Sequence, residues 1–120
     1  MVDKKNDLKH IGWVGGSKKE ILALDDVARK ELGFQLYKLQ KGKDPDDFKP
    51  MPSVGKGVYE IRTRDENNKN KVRCFYVTKI EGAIFVLYVF VKQTKKTGIA
   101  DIEMGKKRYQ LLKRELRGEL

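Results

Sequence analysis

Cationic side chains recur at alternate positions of the C-terminal half, where three runs are typical of β-strands: GVYEIRTR, KVRCFYVTKI and AIFVLYVFV. Successive side chains of a strand point to opposite faces of a sheet, so residues two apart share a face. This alternation places Arg62 with Arg64 in the first run and isolates Arg73 from Cys74 in the second. In the third run it places Tyr88 on the face that leads to Lys92. Three adjacent strands of this kind can gather the group Arg62, Arg73, Tyr88 and Lys92 on one sheet face.

Such a group favours phosphate as a ligand. Like charges held close together repel each other, and an anion bound between them offsets that repulsion. A guanidinium group can hold a phosphate through two parallel hydrogen bonds, and a tyrosine ring can stack on a nucleobase. Because the sequence does not fix the strand register, a second interpretation stays open. The arginines could instead lie on a solvated sheet face with Glu60 as their local ion partner.

The overall charge favours the same class of partner. The chain of 120 residues has 27 Lys and Arg against 17 Asp and Glu, a net charge of +10. A field of this size on a small protein favours a polyanion, which could be nucleic acid, the ribosome or an acidic protein. The length predicts one domain over residues 1–120. With one cysteine and one histidine, we expect no disulfide, no metal site and no cofactor.

The sequence also predicts a cytoplasmic protein without a membrane segment. The apolar run 84–91 is too short to cross a bilayer as a helix. The N-terminus is charged and polar, without the apolar region of a signal peptide.

Helix signals predict a pair of helices over residues 17–41. Ser17 and Glu20 have the spacing of a capping box, in which each side chain binds a backbone N–H at the helix start. Asp25 and Asp26 offer a second N-cap, so the helix is expected to break and restart there. A last helix is predicted over residues 101–117, with a buried stripe of Ile102, Tyr109, Leu112 and Leu116.

The remaining segments predict strands and turns. Residues 10–15 are typical of a short first strand, and residues 42–57 form a loop that holds all three prolines. Glu81 and Gly82 favour a tight hairpin turn. The strand over 83–91 is apolar on both faces and is expected inside the sheet. The order β-αα-βββ-α predicts an α+β fold with helices packed on one face of a mostly antiparallel sheet.

The motifs, taken in order, resemble the RelE/HigB-like toxins of bacterial type II toxin–antitoxin pairs. The closest resemblance is to the phage-derived branch of the RelE/ParE superfamily. The N-terminal motifs are a helix pair ending in Gln40 and Gly42 and a loop with Lys49 and Pro50. The C-terminal motifs are GVYEIRTR, KVRCFYVTKIEGAIFVLYVFVKQTKKTG and DIEMGKKRYQLLK. The resemblance covers nearly the whole chain.

The resemblance implies a RelE-like compact α+β domain with a curved sheet and the activity of a ribosome-dependent mRNA endoribonuclease. Such a toxin inhibits translation through attack of the ribose 2′-hydroxyl on the adjacent phosphorus, without a metal. The implied partners are mRNA on the ribosome and an antitoxin, expected to be a helix-turn-helix protein encoded by an adjacent gene. The implied catalytic residues are Arg62, Arg73, Tyr88, Lys92 and Lys95, and the implied RNA-binding residues are Arg64, Lys71 and Lys96.

Two departures from the family pattern concern proton transfer. Tyr88 stands where the family usually has a histidine, and Gln93 stands where a second lysine is usual. We expect the two arginines to stabilise phosphoryl charge, and Lys92 or Lys95 to act as the base with a pKa lowered by nearby cations. Tyr88 is expected to orient a base or to assist proton transfer.

Further expectations concern Arg73, the partner and the alternatives. The strand pattern predicts that Arg73 is exposed, so its truncation should abolish cleavage without harming the fold. The antitoxin is expected to cover the cationic face or to displace the last helix. Two other functions stay open: a ParE-like toxin that inhibits DNA gyrase by binding, and an RNA-binding domain without catalysis.

Overall fold

The structure, a computed structural model, describes residues 8–118. In chain order its elements are strand β1 (Ile11–Trp13), helices α1 (Ser17–Leu22) and α2 (Asp26–Gln40), strands β2 (Phe48–Pro50), β3 (Tyr59–Thr63), β4 (Val72–Ile80) and β5 (Ala83–Val91), and helix α3 (Ile99–Leu116). This order matches the predicted one except for β2, a short strand inside the proline-containing loop. Pro50 ends β2 at the edge of the sheet, where its missing N–H is tolerated.

The strands form one sheet in the order β1-β5-β4-β3-β2, in which β1 is parallel to β5 and the other pairs are antiparallel. Strand β5 has a neighbour on each side, which confirms its predicted interior position. Glu81 and Gly82 form the turn between β4 and β5 with φ angles of 51° and 65°. Two positive φ angles are what a two-residue hairpin turn matched to the twist of its strands requires. The α+β fold with a mostly antiparallel sheet is therefore confirmed.

Helices cover both faces of the sheet, so the prediction that they pack on one face is wrong. On one face, Leu32 and Leu36 of α2 pack with Ile61 and Cys74. On the other face, Tyr109 and Leu112 of α3 pack with Phe75, Leu87 and Phe90. The physical reason is the two-sided apolar character of β5, because both of its faces must be removed from water.

The two predicted N-caps have different outcomes. The Asp25 side chain accepts a hydrogen bond from the Ala28 backbone N–H at 2.8 Å, and α2 starts there as predicted. The capping box of Ser17 and Glu20 is wrong, because Ser17 is already helical and α1 has no side-chain cap. The Glu20 carboxylate instead accepts a hydrogen bond from Arg108 of α3 at 2.7 Å.

Helix α3 lies close to the sheet because of a glycine. A Cβ atom at Gly105 would come within 2.7 Å of the Phe75 ring, so only glycine permits this approach. Tyr109 and Leu112 are buried as predicted and Ile102 is half-buried, whereas Leu116 is exposed. Among residues 8–118, none of the helices combines the length and apolar character that crossing a bilayer requires.

Candidate active site

A cleft of about 450 Å³ lies beside the start of α3, over the face of the sheet that α3 covers. Six cationic side chains and one carboxylate occur among the described residues that line it. The lining consists of Lys49, Met51, Ser53, Glu60, Arg62, Arg73, Lys92, Lys95, Lys96, Thr97 and Ile102. This excess of positive charge makes the cleft a candidate site for a polyanion.

The strand register brings the two arginines together at the bottom of the cleft. Arg62 of β3 lies directly opposite Arg73 of β4, which in turn lies opposite Phe90 of β5. Lys92 follows the end of β5, and its backbone N–H donates a hydrogen bond to the Lys71 carbonyl oxygen at 2.7 Å. The predicted clustering on one face is therefore confirmed for Arg62, Arg73 and Lys92.

Glu60 is a buried carboxylate in this cationic cleft. Its side chain is 1% exposed, with Oε1 lying 3.7 Å from Arg73 Nε and 3.9 Å from Lys49 Nζ. Oε2 accepts a hydrogen bond from the Thr97 hydroxyl at 3.0 Å. Neither Glu60 Oε1 nor Arg73 Nε makes a hydrogen bond with any described residue. The pair is thus held close but incompletely satisfied, although buried polar groups are usually hydrogen-bonded.

Arg73 is buried, which corrects the prediction that it is exposed. Its side chain is 5% exposed. Nη1 donates hydrogen bonds to the Val72 carbonyl at 3.1 Å and to Asn70 Oδ1 at 3.3 Å. Burial lowers its pKa, and the charge of Glu60 opposes that shift. Truncation of Arg73 would therefore remove the closest cationic partner of the buried Glu60 carboxylate, which would keep the Lys49 amine at 3.9 Å and the Thr97 hydroxyl.

Arg62 is the more accessible of the two arginines, with 34% of its side chain exposed. Its Nε and Nη2 atoms donate hydrogen bonds to Asp47 Oδ1 at 3.0 and 2.8 Å. The backbone N–H of Arg62 also donates to the Asp47 carbonyl oxygen at 2.9 Å. Arg62 is therefore oriented by the loop before β2 while part of its side chain remains accessible in the cleft.

The segment Lys92–Gly98, which we call the lysine loop, connects β5 to α3. Lys92 Nζ donates a hydrogen bond to the Lys95 carbonyl oxygen. Burial and the charge of Arg73 lower the pKa of Lys92, and Glu60 partly opposes the shift. Lys95 and Lys96 are exposed. The loop therefore places three amines at the cleft, and the pKa of the Lys92 amine lies below that of an ordinary lysine.

Tyr88 does not line the cleft. It lies opposite Phe75, two positions along β5 from the residue that pairs with Arg73. Its hydroxyl donates a hydrogen bond to Asp101 Oδ1 at 2.9 Å. Burial, followed by this hydrogen bond, raises the pKa of Tyr88 to about 12. The structure thus attaches Tyr88 to the first turn of α3 and not to the arginine pair.

The three predicted RNA-binding residues lie in different places relative to the cleft. Lys96 lines the cleft. Lys71 lies in an adjoining groove of about 480 Å³, to which Lys92 and Lys95 also contribute. Arg64 lies beyond the end of β3, outside both depressions, and donates a hydrogen bond to Asn68 Oδ1 at 3.1 Å. The cleft and the groove share two lysines, so together they form one continuous cationic surface.

Sequence reasoning assigned no site role to Lys49, Glu60 or Thr97. Alternation places Glu60 on the same face as Arg62, and the sequence allows it only the role of an ion partner for the arginines. Lys49 belongs to a motif that contributed to the resemblance, without a role of its own. No pattern in the sequence pointed to Thr97, because its contact with Glu60 joins residues 37 positions apart.

Comparison with known proteins identifies the family of the chain. A family model described as Phage derived protein Gp49-like (DUF891) matches residues 19–110. The matched range includes every residue that lines the cleft. A search of curated proteins gives no significant match to the chain. The matched family is associated with RelE-like toxins, which are usually paired with an antitoxin. The chain therefore belongs to the phage-derived Gp49-like family of RelE-like toxins.

Proposed function

We propose that this protein is the toxin of a type II toxin–antitoxin pair and a HigB-like endoribonuclease that cleaves mRNA on the ribosome. It acts as one domain, in the cytoplasm, where translated messages are found. Family membership supports the toxin assignment. The cationic cleft supports the nuclease assignment.

One observation carries the nuclease proposal: two arginines and the amines of the lysine loop converge on a cleft that has one buried carboxylate. RNA cleavage through the 2′-hydroxyl needs cations that stabilise the additional negative charge on the phosphoryl oxygens. A surface that only attracts anions through its charge needs no buried arginine beside a carboxylate to which it makes no hydrogen bond. Arg73 and Glu60 form such a pair.

The reaction is an internal transfer in which the 2′ oxygen bonds to phosphorus and the bond from phosphorus to the 5′ oxygen breaks. A base takes the 2′ proton, and an acid donates a proton to the leaving 5′ oxygen. We assign Arg62 and Arg73 to the phosphoryl oxygens. We assign Lys92 to the base because it lines the cleft with both arginines, and because burial and the charge of Arg73 lower its pKa. Lys95 is the second candidate for the base. Protonated Lys95 or Lys96 can supply the proton to the leaving group.

Tyr88 has no proton-transfer role in this proposal, because its hydroxyl is bound to Asp101. The RNA strand is expected to leave the cleft along the adjoining groove, where Lys71 meets its phosphates. Arg64 can contact only RNA that extends beyond this groove.

The antitoxin, proposed to be a helix-turn-helix protein from an adjacent gene, inhibits by covering the cleft or by displacing α3. Displacement would act on the cleft directly, because Ile102 of α3 forms part of its wall. A structure of the complex with the cleft open and α3 in its present position would contradict both modes.

The proposal is tested with purified protein in a reconstituted translation system. We expect primer extension to show new ends within a translated message, with 2′,3′-cyclic phosphate and 5′-hydroxyl termini, and far fewer ends when ribosomes are omitted. A supercoiling assay with DNA gyrase is the matched alternative. Intact message together with inhibited supercoiling would replace the nuclease by a gyrase-binding toxin. Message binding without new ends would leave an RNA-binding protein.

A further inference from the structure

We propose that Thr97 is a positioning residue, whose hydrogen bond to Glu60 holds the lysine loop over the cleft in its reactive arrangement. The proposal rests on the nuclease function, since it concerns the placement of the amines assigned to that reaction. Its structural half, that Thr97 anchors the loop, can be measured without any RNA.

Glu60 provides a fixed point to which the loop can be attached. It lies on β3 between two neighbouring strands, paired with Lys49 on one side and Phe75 on the other. Its side chain is almost completely buried. A carboxylate held in this way cannot follow a mobile loop, so a donor bound to it is immobilised.

The lysine loop has few other attachments. Its side-chain hydrogen bonds run mainly within the loop: Lys92 donates to the Lys95 carbonyl and Thr94 to the Lys96 carbonyl. Within residues 8–118, the bond from Thr97 to Glu60 is the one side-chain hydrogen bond from this loop to a strand other than β5. Backbone bonds hold the two ends of the loop: the Lys92 N–H donates to the Lys71 carbonyl, and the Gly98 carbonyl accepts from the Asp101 and Ile102 N–H groups of α3. Between these ends, the bond from Thr97 to Glu60 is the side-chain contact that attaches the part with Lys95 and Lys96 to β3.

The same bond also affects the arginine. Thr97 occupies Glu60 Oε2, while Oε1 stays 3.7 Å from Arg73 Nε without a hydrogen bond. Without the hydroxyl, the carboxylate can turn toward Arg73 and form a closed ion pair. The guanidinium would then be directed at Glu60 and less available to a phosphate. The threonine thus positions both the amines and the arginine.

The test compares Thr97→Val, which keeps the side-chain shape and removes the hydroxyl, with Thr97→Ser, which keeps the hydroxyl. Thr78→Val is the matched control, because Thr78 is half-buried near the opposite end of β4 from Arg73. The first measurement is limited trypsin digestion after Lys95 and Lys96. We expect Thr97→Val to be cut about tenfold faster or more, since a hydrogen bond to a charged group is lost. Thr97→Ser and Thr78→Val should be cut at the wild-type rate.

The second measurement is message cleavage under the same conditions. A misplacement of about 1 Å can cost on the order of a hundredfold in rate. We therefore expect Thr97→Val to lower kcat by about ten- to a hundredfold with little change in KM. Thr97→Ser should recover most of this loss, and Thr78→Val should cleave normally.

The outcomes separate the two levels of the proposal. Equal trypsin rates for wild type and Thr97→Val would overturn the anchor. Faster digestion with normal kcat would overturn the positioning role. The positioning role would also be overturned if Thr97→Val lowered kcat and Thr97→Ser lowered it equally. If the wild-type protein cleaves no message, the proposed function fails, and the digestion rates still decide whether Thr97 anchors the loop.

Discussion

Within residues 8–118, the glutamate–arginine pairs Glu20–Arg108 and Glu60–Arg73 are built in opposite ways. In the first, which we call the clasp, Arg108 Nη2 donates to Glu20 Oε2 at 2.7 Å and Nη1 donates to Glu20 Oε1 at 3.2 Å. Backbone groups of β5 complete it: Glu20 Oε1 accepts from the Val89 N–H, and Arg108 donates to the Leu87 carbonyl. The second pair, Glu60 and Arg73, is separated by 3.7 Å and lacks a direct hydrogen bond.

The pair with the poorer geometry is also the more deeply buried one. The side chains of Glu20 and Arg108 are 24% and 14% exposed, against 1% and 5% for Glu60 and Arg73. Burial of two charges stabilises a protein only when their hydrogen bonds are complete. The clasp meets this condition and connects α1 to α3 through β5. The Glu60–Arg73 pair does not meet it, and both of its residues line the cleft. We infer that the Glu20–Arg108 pair, whose hydrogen bonds are complete, stabilises the fold. The Glu60–Arg73 pair, whose hydrogen bonds are incomplete, is a candidate for ligand binding.

The largest effect that tests this contrast is expected from Arg73→Ala. It should remove message cleavage and also lower the free energy of unfolding by about 3–5 kcal/mol, because the buried Glu60 carboxylate loses its closest cationic partner. Urea denaturation measures the second effect, and single-turnover cleavage by the folded fraction measures the first. A variant with wild-type stability would show that Glu60 finds other partners, and that the pair is less critical than its burial indicates.

A smaller loss of stability, without loss of activity, is expected from Arg108→Ala in the clasp. The loss of the hydrogen bonds to the Glu20 carboxylate should lower the free energy of unfolding by about 1.5–3 kcal/mol. Since Arg108 does not line the cleft, cleavage per folded molecule should stay close to that of the wild type. The same denaturation and cleavage assays apply. Selective loss of cleavage at full stability would reverse the roles assigned to the two pairs.

The smallest effect is expected from Tyr88→Phe, next to the clasp. Its loss of the hydrogen bond to the Asp101 carboxylate should lower the free energy of unfolding by about 1.5 kcal/mol at neutral pH, the low end for a bond to a charged group, and leave cleavage unchanged. The Tyr88 pKa is about 12 in the folded protein and about 10 in a free side chain. Between these values the unfolded chain releases a proton that the folded protein keeps, so stability falls as pH rises. That fall should be shallower in Tyr88→Phe when melting is followed from pH 9 upward. An identical slope, or a large loss of cleavage, would contradict the structural role of Tyr88.

The parts of the fold that the sequence predicted correctly depend on local signals. The Asp25 cap, the Glu81-Gly82 turn and the alternation in β3 involve residues near each other along the chain, so short-range geometry determines them. The capping box at Glu20 failed because Arg108, 88 positions away, takes its carboxylate. The second helix layer was missed, although the two-sided apolar character of β5 had been recognised. Which face a distant helix covers is decided by packing that no local pattern records.

The candidate site shows the same division. Alternation correctly grouped Arg62, Arg73 and Lys92 on one face. It could not show that Arg73 is buried, since burial depends on the packing of segments that are distant along the chain. Tyr88 shares this face of β5 but lies two positions away from the arginine row and under α3, so a shared face did not mean a shared site. Thr97 lies in a loop, where periodicity gives no information.

The most direct test of the central claim, that the cleft cleaves RNA, compares Arg62→Ala with Arg29→Ala. The two arginines are closely matched: their side chains are 34% and 38% exposed, and each forms an ion pair with an aspartate, at 2.8 and 2.9 Å. Each substitution removes one positive charge and one surface ion pair, so each should cost at most about 1 kcal/mol of stability. Of these two arginines, Arg62 lines the cleft and Arg29 does not.

The measurement is the rate of cleavage of a translated message, followed by primer extension with both variants at equal folded concentration. We predict that Arg62→Ala is slower by about a hundred- to a thousandfold, the usual cost of losing one donor that stabilises transition-state charge. Arg29→Ala should cleave at close to the wild-type rate. Equal rates for the two variants would contradict the assignment of this cleft as the active site.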